Sequence, residues 1–245
     1  MTVRPGVLVA LLLPVAVVLV AVSAAVHLWG LATPGGVPFD GYERLVEIVD
    51  VDTETTVPTW FSASLLLLCA LLLLDVTRTA WAGRSRWRFH WATLAVVFAY
   101  LSADEGSRLH ETGSALLDRA GVDTGLRFGW VALAVPLVAV LALAMLPFVR
   151  RLPRRTALSF VGAGVLYVGG AAGLEVVSGF VVDATGVGSA PYVLVSSLEE
   201  LCEMAGATVF AWAVADHQRR HLAAVEAQAP HAARSGRAPV GAAHA

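Results

Sequence analysis

Lysine is absent from this sequence: all 17 basic residues are arginine, a bias of composition rather than of function. Charge of either sign is scarce, at 15% of the 245 residues, against about 25% in an ordinary globular domain. Only two cysteines occur, Cys69 and Cys202, both inside apolar runs, which argues against a disulfide framework and a thiolate zinc site. A net charge of −2 argues against a nucleic-acid partner. Strict apolar/polar alternation is missing, so a membrane barrel is excluded. No Gly-x-Ser-x-Gly turn frames a nucleophile, and no Lys-Ser/Thr follows the glycine-rich stretch near residue 170, so neither a nucleophile elbow nor a phosphate loop is present.

What is abundant is apolar sequence: 57% of the chain, with a mean hydropathy of +0.71. It lies in six blocks, at about 7–29, 60–77, 89–111, 129–149, 158–182 and 192–215. Each is near the roughly 20 residues that cross a hydrocarbon core of about 30 Å, where the backbone must satisfy itself as helix. The first block is longer than the roughly 7–15 residues of a signal-peptide core and reads as a retained helix. The fold expected is all-α: a polytopic bundle of six transmembrane helices over residues 1–220, in the cytoplasmic membrane. The tail, 221–245, is rich in Ala, His, Arg and Pro without periodicity, and its composition predicts a disordered cytoplasmic segment.

Orientation follows from the arginines. Arg78, Arg84, Arg86 and Arg88 follow the second block; Arg150, Arg151, Arg154 and Arg155 follow the fourth; Arg219 and Arg220 follow the sixth. The loop 31–59 holds Asp40, Glu43, Glu47, Asp50, Asp52 and Glu54 against Arg44 alone. Both termini are therefore expected in the cytoplasm and the acidic loop outside. Within that loop, residues 41–50 have a period near 3.6 that fits a short surface helix or a solvated loop. Trp29, Trp60, Trp130 and Tyr192 read as anchors at the outer interface, with Trp87 and His90 at the inner one.

Ionisable side chains within a span cost on the order of 3 kcal/mol each, so several retained together point to use. The third block runs into Asp104, Glu105, Arg108, His110 and Glu111; continued as one helix, it places Asp104, Arg108 and Glu111 on one face. The fifth carries Glu175 among glycines, and the sixth carries Glu199, Glu200 and Glu203 on one stripe. Such neighbours repel unless protonated, paired with cations or bound to metal. At about 1.5 Å per residue, Asp104, Glu175 and Glu199 come to about 24, 27 and 24 Å above the cytoplasmic edge, with His27 about 30 Å up. They belong to one layer in the outer third.

A mixed carboxylate and imidazole set suits Zn, Fe or Mn. The predicted ligands are Glu105, His110, Glu111, Glu175, Glu199, Glu200, Glu203 and His27, with Asp104 and Arg108 as charge-balancing or relay groups. Soluble di-metal bundles use Glu-x-x-His pairs, which this chain lacks, so the match is one of composition. Three uses of the cluster stay open. One is divalent-metal binding, with a membrane metalloenzyme acting on a lipidic or small extracytoplasmic substrate as its catalytic form. The second is a proton- or cation-coupled transporter or relay, and the third a non-catalytic membrane scaffold.

The segments Leu101-Ser-Ala-Asp104-Glu105-x4-His110-Glu111 and Leu198-Glu199-Glu200-x2-Glu203-x2-Gly206 resemble those of a group of uncharacterised bacterial multi-pass membrane proteins. These carry LSxDE-x4-HE and LEE-x2-E-x2-G segments. The resemblance implies shared roles for Asp104, Glu105, His110, Glu111, Glu199, Glu200 and Glu203, and implies no reaction.

Overall fold

The computed structural model describes residues 4–235, with side chains described through residue 223. Among them there is no strand. The helices are α1 (Pro5–Ala32), α2 (Tyr42–Val49), α3 (Val57–Ala82), α4 (Arg88–Ser107), α5 (Leu109–Arg119), α6 (Val131–Val149), α7 (Arg154–Val168), α8 (Glu175–Thr185) and α9 (Ala190–Ser235). A π-helical turn, Gly169–Leu174, joins α7 to α8 without interrupting the rod.

Among the described residues four helical stretches, rather than the six expected, are long and apolar enough to cross a membrane: Pro5–Ala32, Val57–Ala82, Val131–Val149 and Arg154–Thr185. The other two expected spans, α4 and α9, fall short for a chemical reason. Arg88, His90, Asp104 and Glu105 dilute the apolar run of α4, and Glu199, Glu200, Glu203 and Asp216 that of α9. The third block also ends earlier than its pattern predicts. α4 stops at Ser107, Arg108 takes a left-handed conformation (φ 53°), and α5 sets off in a new direction. Of the two readings of residues 41–50, a short helix or a solvated loop, the helix is the one present, as α2. α9 runs on to Ser235, into the segment whose composition predicts disorder; residues 236–245 lie outside the described residues.

α9 is the central helix, packed on α1, α3, α7, α8 and the π turn. Glycine permits its closest approaches. A Cβ on Gly206 would stand 2.7 Å from the Tyr167 backbone nitrogen, and one on Gly170 would stand 2.9 Å from the Glu199 carbonyl oxygen. Small residues let helix backbones meet where lipid supplies no hydrophobic drive for association. Between the helices lie two apolar clusters. One, toward the arginine loops, is built on Leu73, Trp91, Phe148, Phe160 and Val214; the other, further out, on Ala16, Leu66, Met204 and Ala207.

Large apolar side chains lie on the outward faces of the helices. Leu137, Leu143 and Val165 are each more than two-thirds exposed, an apolar surface of the kind that suits acyl chains better than water. At the arginine end the buried Asp216 gathers Arg155, Arg219 and Arg220, and Asp75 accepts from Gln218 Nε2 at 3.1 Å. Trp87 and His90, read as inner interfacial residues, are half-buried beside the arginine turn. Both turn inward onto Phe148, with ring centroids 5.8 and 5.4 Å from it.

Candidate metal centre

At the end of the bundle away from the arginine loops, α3, α4, α5, α8 and α9 surround a cavity of 570 Å³. It is bounded by Glu105, His110, Glu111, Glu175, Glu199, Glu200 and Glu203, together with Asp104 and Arg108. Nine of the ten side chains singled out from the sequence thus face one space. His27 does not. Its Nε2 lies 3.2 Å from Asp50 Oδ1, and it helps hold the outer linker rather than the chamber wall.

Local chain geometry sets the entrance. Because α4 breaks at Arg108, the face predicted to join Asp104, Arg108 and Glu111 in one helix does not exist. Instead Asp104 Oδ1 accepts the His110 backbone N–H at 2.7 Å, and Asp104 Oδ2 lies 3.2 Å from His110 Nδ1. Asp104 therefore satisfies an otherwise free N–H at the start of α5, where a negative charge is favoured. It also fixes the imidazole ring. With Nδ1 bound to the carboxylate, Nε2 is the nitrogen left for a ligand. Glu111 follows in the first turn of α5.

Sequence reasoning missed the contribution of the outer linker. Residues 50–56 fold back across the chamber mouth. Val51 N–H donates to Ser23 Oγ at 3.1 Å, and the Asp52 N–H donates to Asp50 Oδ1 at 3.0 Å. Tyr192 O–H donates to Asp52 Oδ2 at 2.7 Å. This brings Asp52 and Glu54 into the lining. Burial opposes the charge on Asp50, yet hydrogen bonds from His27 and the Asp52 backbone hold its carboxyl below its ordinary value. Asp52 faces the open chamber but is surrounded by protein. That surrounding pushes its carboxyl up to about 6, against the lowering effect of the Tyr192 hydrogen bond.

Glu54, His110 and Glu111 each present a donor atom within 4.8 Å of the other two. Among the described residues they form the grouping of three or more metal-type donors that close. Arg108 reaches into the same place: it pairs with Glu54 and lies 3.8 Å from Glu111 Oε1. The remaining predicted ligands sit further back. Trp130 Nε1 donates to Glu175 Oε1 at 3.1 Å, and Ser178 Oγ donates to Glu199 Oε2 at 3.0 Å. Trp130 and Tyr192, expected as interfacial anchors, therefore turn inward as donors to chamber acids, whereas Trp29 and Trp60 remain exposed. The acidic run Asp50-x-Asp52-x-Glu54 immediately before the Pro58 helix start was the available signal for the linker.

The assembled site holds an excess of carboxylates over cations, one oriented imidazole, and a mouth between α5 and the outer linker. Chemically it can accept a cation or position a cationic group. No curated protein and no solved structure matches the chain. The family model described as "Domain of unknown function (DUF8692)" matches residues 11–218, a stretch that takes in every chamber residue named above, and the chain belongs to that family.

Proposed function

We propose that this is a cytoplasmic-membrane protein that binds a divalent metal ion in its outer acidic chamber. Glu54, His110 and Glu111 are its ligands at the mouth, with Glu105, Glu175, Glu199, Glu200 and Glu203 as oxygen donors behind them. The observation that carries this reading is the approach of three donors of mixed type within 4.8 Å, one of them an imidazole held by a carboxylate. Carboxylate-oriented histidine is the usual outer-shell arrangement of metal sites. Three protein ligands with a position left open is the pattern of catalytic rather than structural zinc. Nitrogen and oxygen donors together fit Zn, Fe or Mn. On this reading the site works as a membrane metalloenzyme, and Arg108 is a counter-charge that an entering ion displaces.

The topology that accompanies it has six crossings, with α4 and α9 as the polar-lined pair inside a ring of apolar helices. Both termini and both arginine-rich turns, residues 83–87 and 150–153, are cytoplasmic. The positive-inside bias and the exposed apolar faces of α1, α6 and α7 support this. A proton or cation relay would use the same acids. Against it stands the apolar packing beneath the chamber, where Phe148, Leu73 and Val214 are at most 1% exposed.

Metal analysis of detergent-purified protein tests the proposal, with wild type beside His110→Ala, Glu54→Gln and Glu200→Gln. The expected result is one divalent ion per chain in wild type, lost in His110→Ala and reduced in the glutamate variants. Metal at background in wild type, or metal unaffected by His110→Ala, overturns the reading. A relay predicts instead a pH-dependent flux in proteoliposomes that persists under chelation.

A further inference from the structure

Against the acidic chamber lies a second cavity, of 540 Å³ and different chemistry, between α4, α6, α7 and α9. Its walls are apolar, with Phe98, Leu137, Leu141, Phe160 and Phe210 among them. α6 stands away from α4 here, its chief backbone contact being with the π turn. From Leu133 to Val149 the groove follows α6 for sixteen residues, ~24 Å of helix, most of the ~30 Å of a hydrocarbon core. The volume lies within the range of small-molecule sites. At its outer end the groove abuts the chamber: Asp104, His110, Trp130 and Tyr167 line both cavities. An apolar length thus lies directly beside a polar head.

Charge at the head selects what fits. The chamber is lined by ten carboxylates and two arginines, Arg108 and Arg127. With one divalent ion bound, the ion and both arginines carry four positive charges, so six of the ten acids would have to be protonated before a phosphate headgroup ceased to meet a surplus of negative charge. An ammonium group meets partners.

We propose that the adjoining cavities bind a single-chain cationic amphiphile, a long-chain amine, with its chain in the groove and its ammonium group among the chamber carboxylates beyond Asp104 and His110. This names the substrate class of the chamber and rests on the reading of that chamber as a binding site. Gly164 supplies the means to test it. It lines the groove on α7, and a Cβ there would have no heavy atom within 4 Å. Gly164→Leu therefore adds bulk at the groove wall from a position whose first carbon meets no neighbour.

The test uses full-length protein in detergent and in vesicles, with a hexadecylamine carrying a photoreactive group in its chain, beside the phosphate and the alcohol of the same chain. The amine is expected to label peptides of α4 and α6 in wild type. In Gly164→Leu labelling should fall about tenfold or more, and the phosphate should label about tenfold less than the amine. Equal labelling of wild type and Gly164→Leu, or stronger labelling by the phosphate, overturns the inference. Metal content is measured on the same samples. Gly164→Leu should keep its metal. Groove-dependent labelling by the amine in protein without metal upholds the amphiphile and sinks the metal reading alone.

Discussion

Asp104 holds His110 twice, accepting its backbone N–H at 2.7 Å and facing its ring Nδ1 at 3.2 Å. One carboxylate thus ends the polar part of α4, starts α5 and aims an imidazole into the chamber. If that ring is a metal ligand, Asp104 acts through it rather than on the ion. Asp104→Asn should weaken divalent binding by about 10- to 100-fold while leaving one site per chain at saturating metal. A metal titration followed by equilibrium dialysis checks this. Unchanged affinity would make Asp104 a helix-starting residue only.

Arg108 should behave in the opposite sense. Its guanidinium pairs with Glu54 and approaches Glu111, two of the three donors at the mouth. It also sits at φ 53°, a conformation that asparagine adopts more readily than arginine. Arg108→Asn should keep the turn and tighten divalent binding by about two- to fivefold, since a partly exposed competing charge is removed. Weaker binding in Arg108→Asn would show that the guanidinium supports the site.

Asp52 gives the chamber a titration of its own. Its folded-state carboxyl, near 6, lies above the ordinary 3.8, so ionisation works against the fold. Its favourable contribution is fully present below about 4 and is lost as the pH rises through 6. Tyr192 donates to the ionised form, so Tyr192→Phe should move the midpoint upward, above 6. Infrared difference spectra between acid and neutral pH, with Asp52→Asn to identify the band, read this directly. A midpoint near the ordinary carboxylate value in wild type would contradict the burial described for the linker.

Two glycines should respond differently to the same kind of change. Gly206→Val brings a side chain against the backbone of α7, where even a Cβ has 2.7 Å. It should cost about 1–3 kcal/mol of stability and disturb the chamber with it. Gly162→Ala, on α7 with no heavy atom within 4 Å of its added Cβ, should cause no loss. Thermal unfolding in one detergent, run side by side, compares them.

The all-helical architecture, with helices long and apolar enough to cross a membrane, was legible in the sequence because long apolar runs without alternation leave the backbone no other way to satisfy itself in lipid. Convergence of Glu105, Glu175, Glu199, Glu200 and Glu203 was legible for a related reason, since helix rise alone gives depth. What escaped depends on single residues without a pattern. Nothing in the spelling of residues 101–111 announces that Arg108 will turn left-handed, and helical periodicity carries straight through it. Glu54 reaches the site because residues 50–56 are tied down by Ser23 and Tyr192, partners 28 and 140 residues away from Val51 and Asp52. Trp130 and Tyr192 read as anchors because an aromatic at a helix end has that use far more often than a buried donor role.

X-ray absorption at the zinc edge, on zinc-loaded purified protein, tests the central claim most directly. The account predicts nitrogen and oxygen neighbours at about 2.0–2.2 Å, with multiple scattering from one imidazole that disappears in His110→Ala. Sulfur neighbours, or an imidazole signature untouched by that substitution, would contradict it.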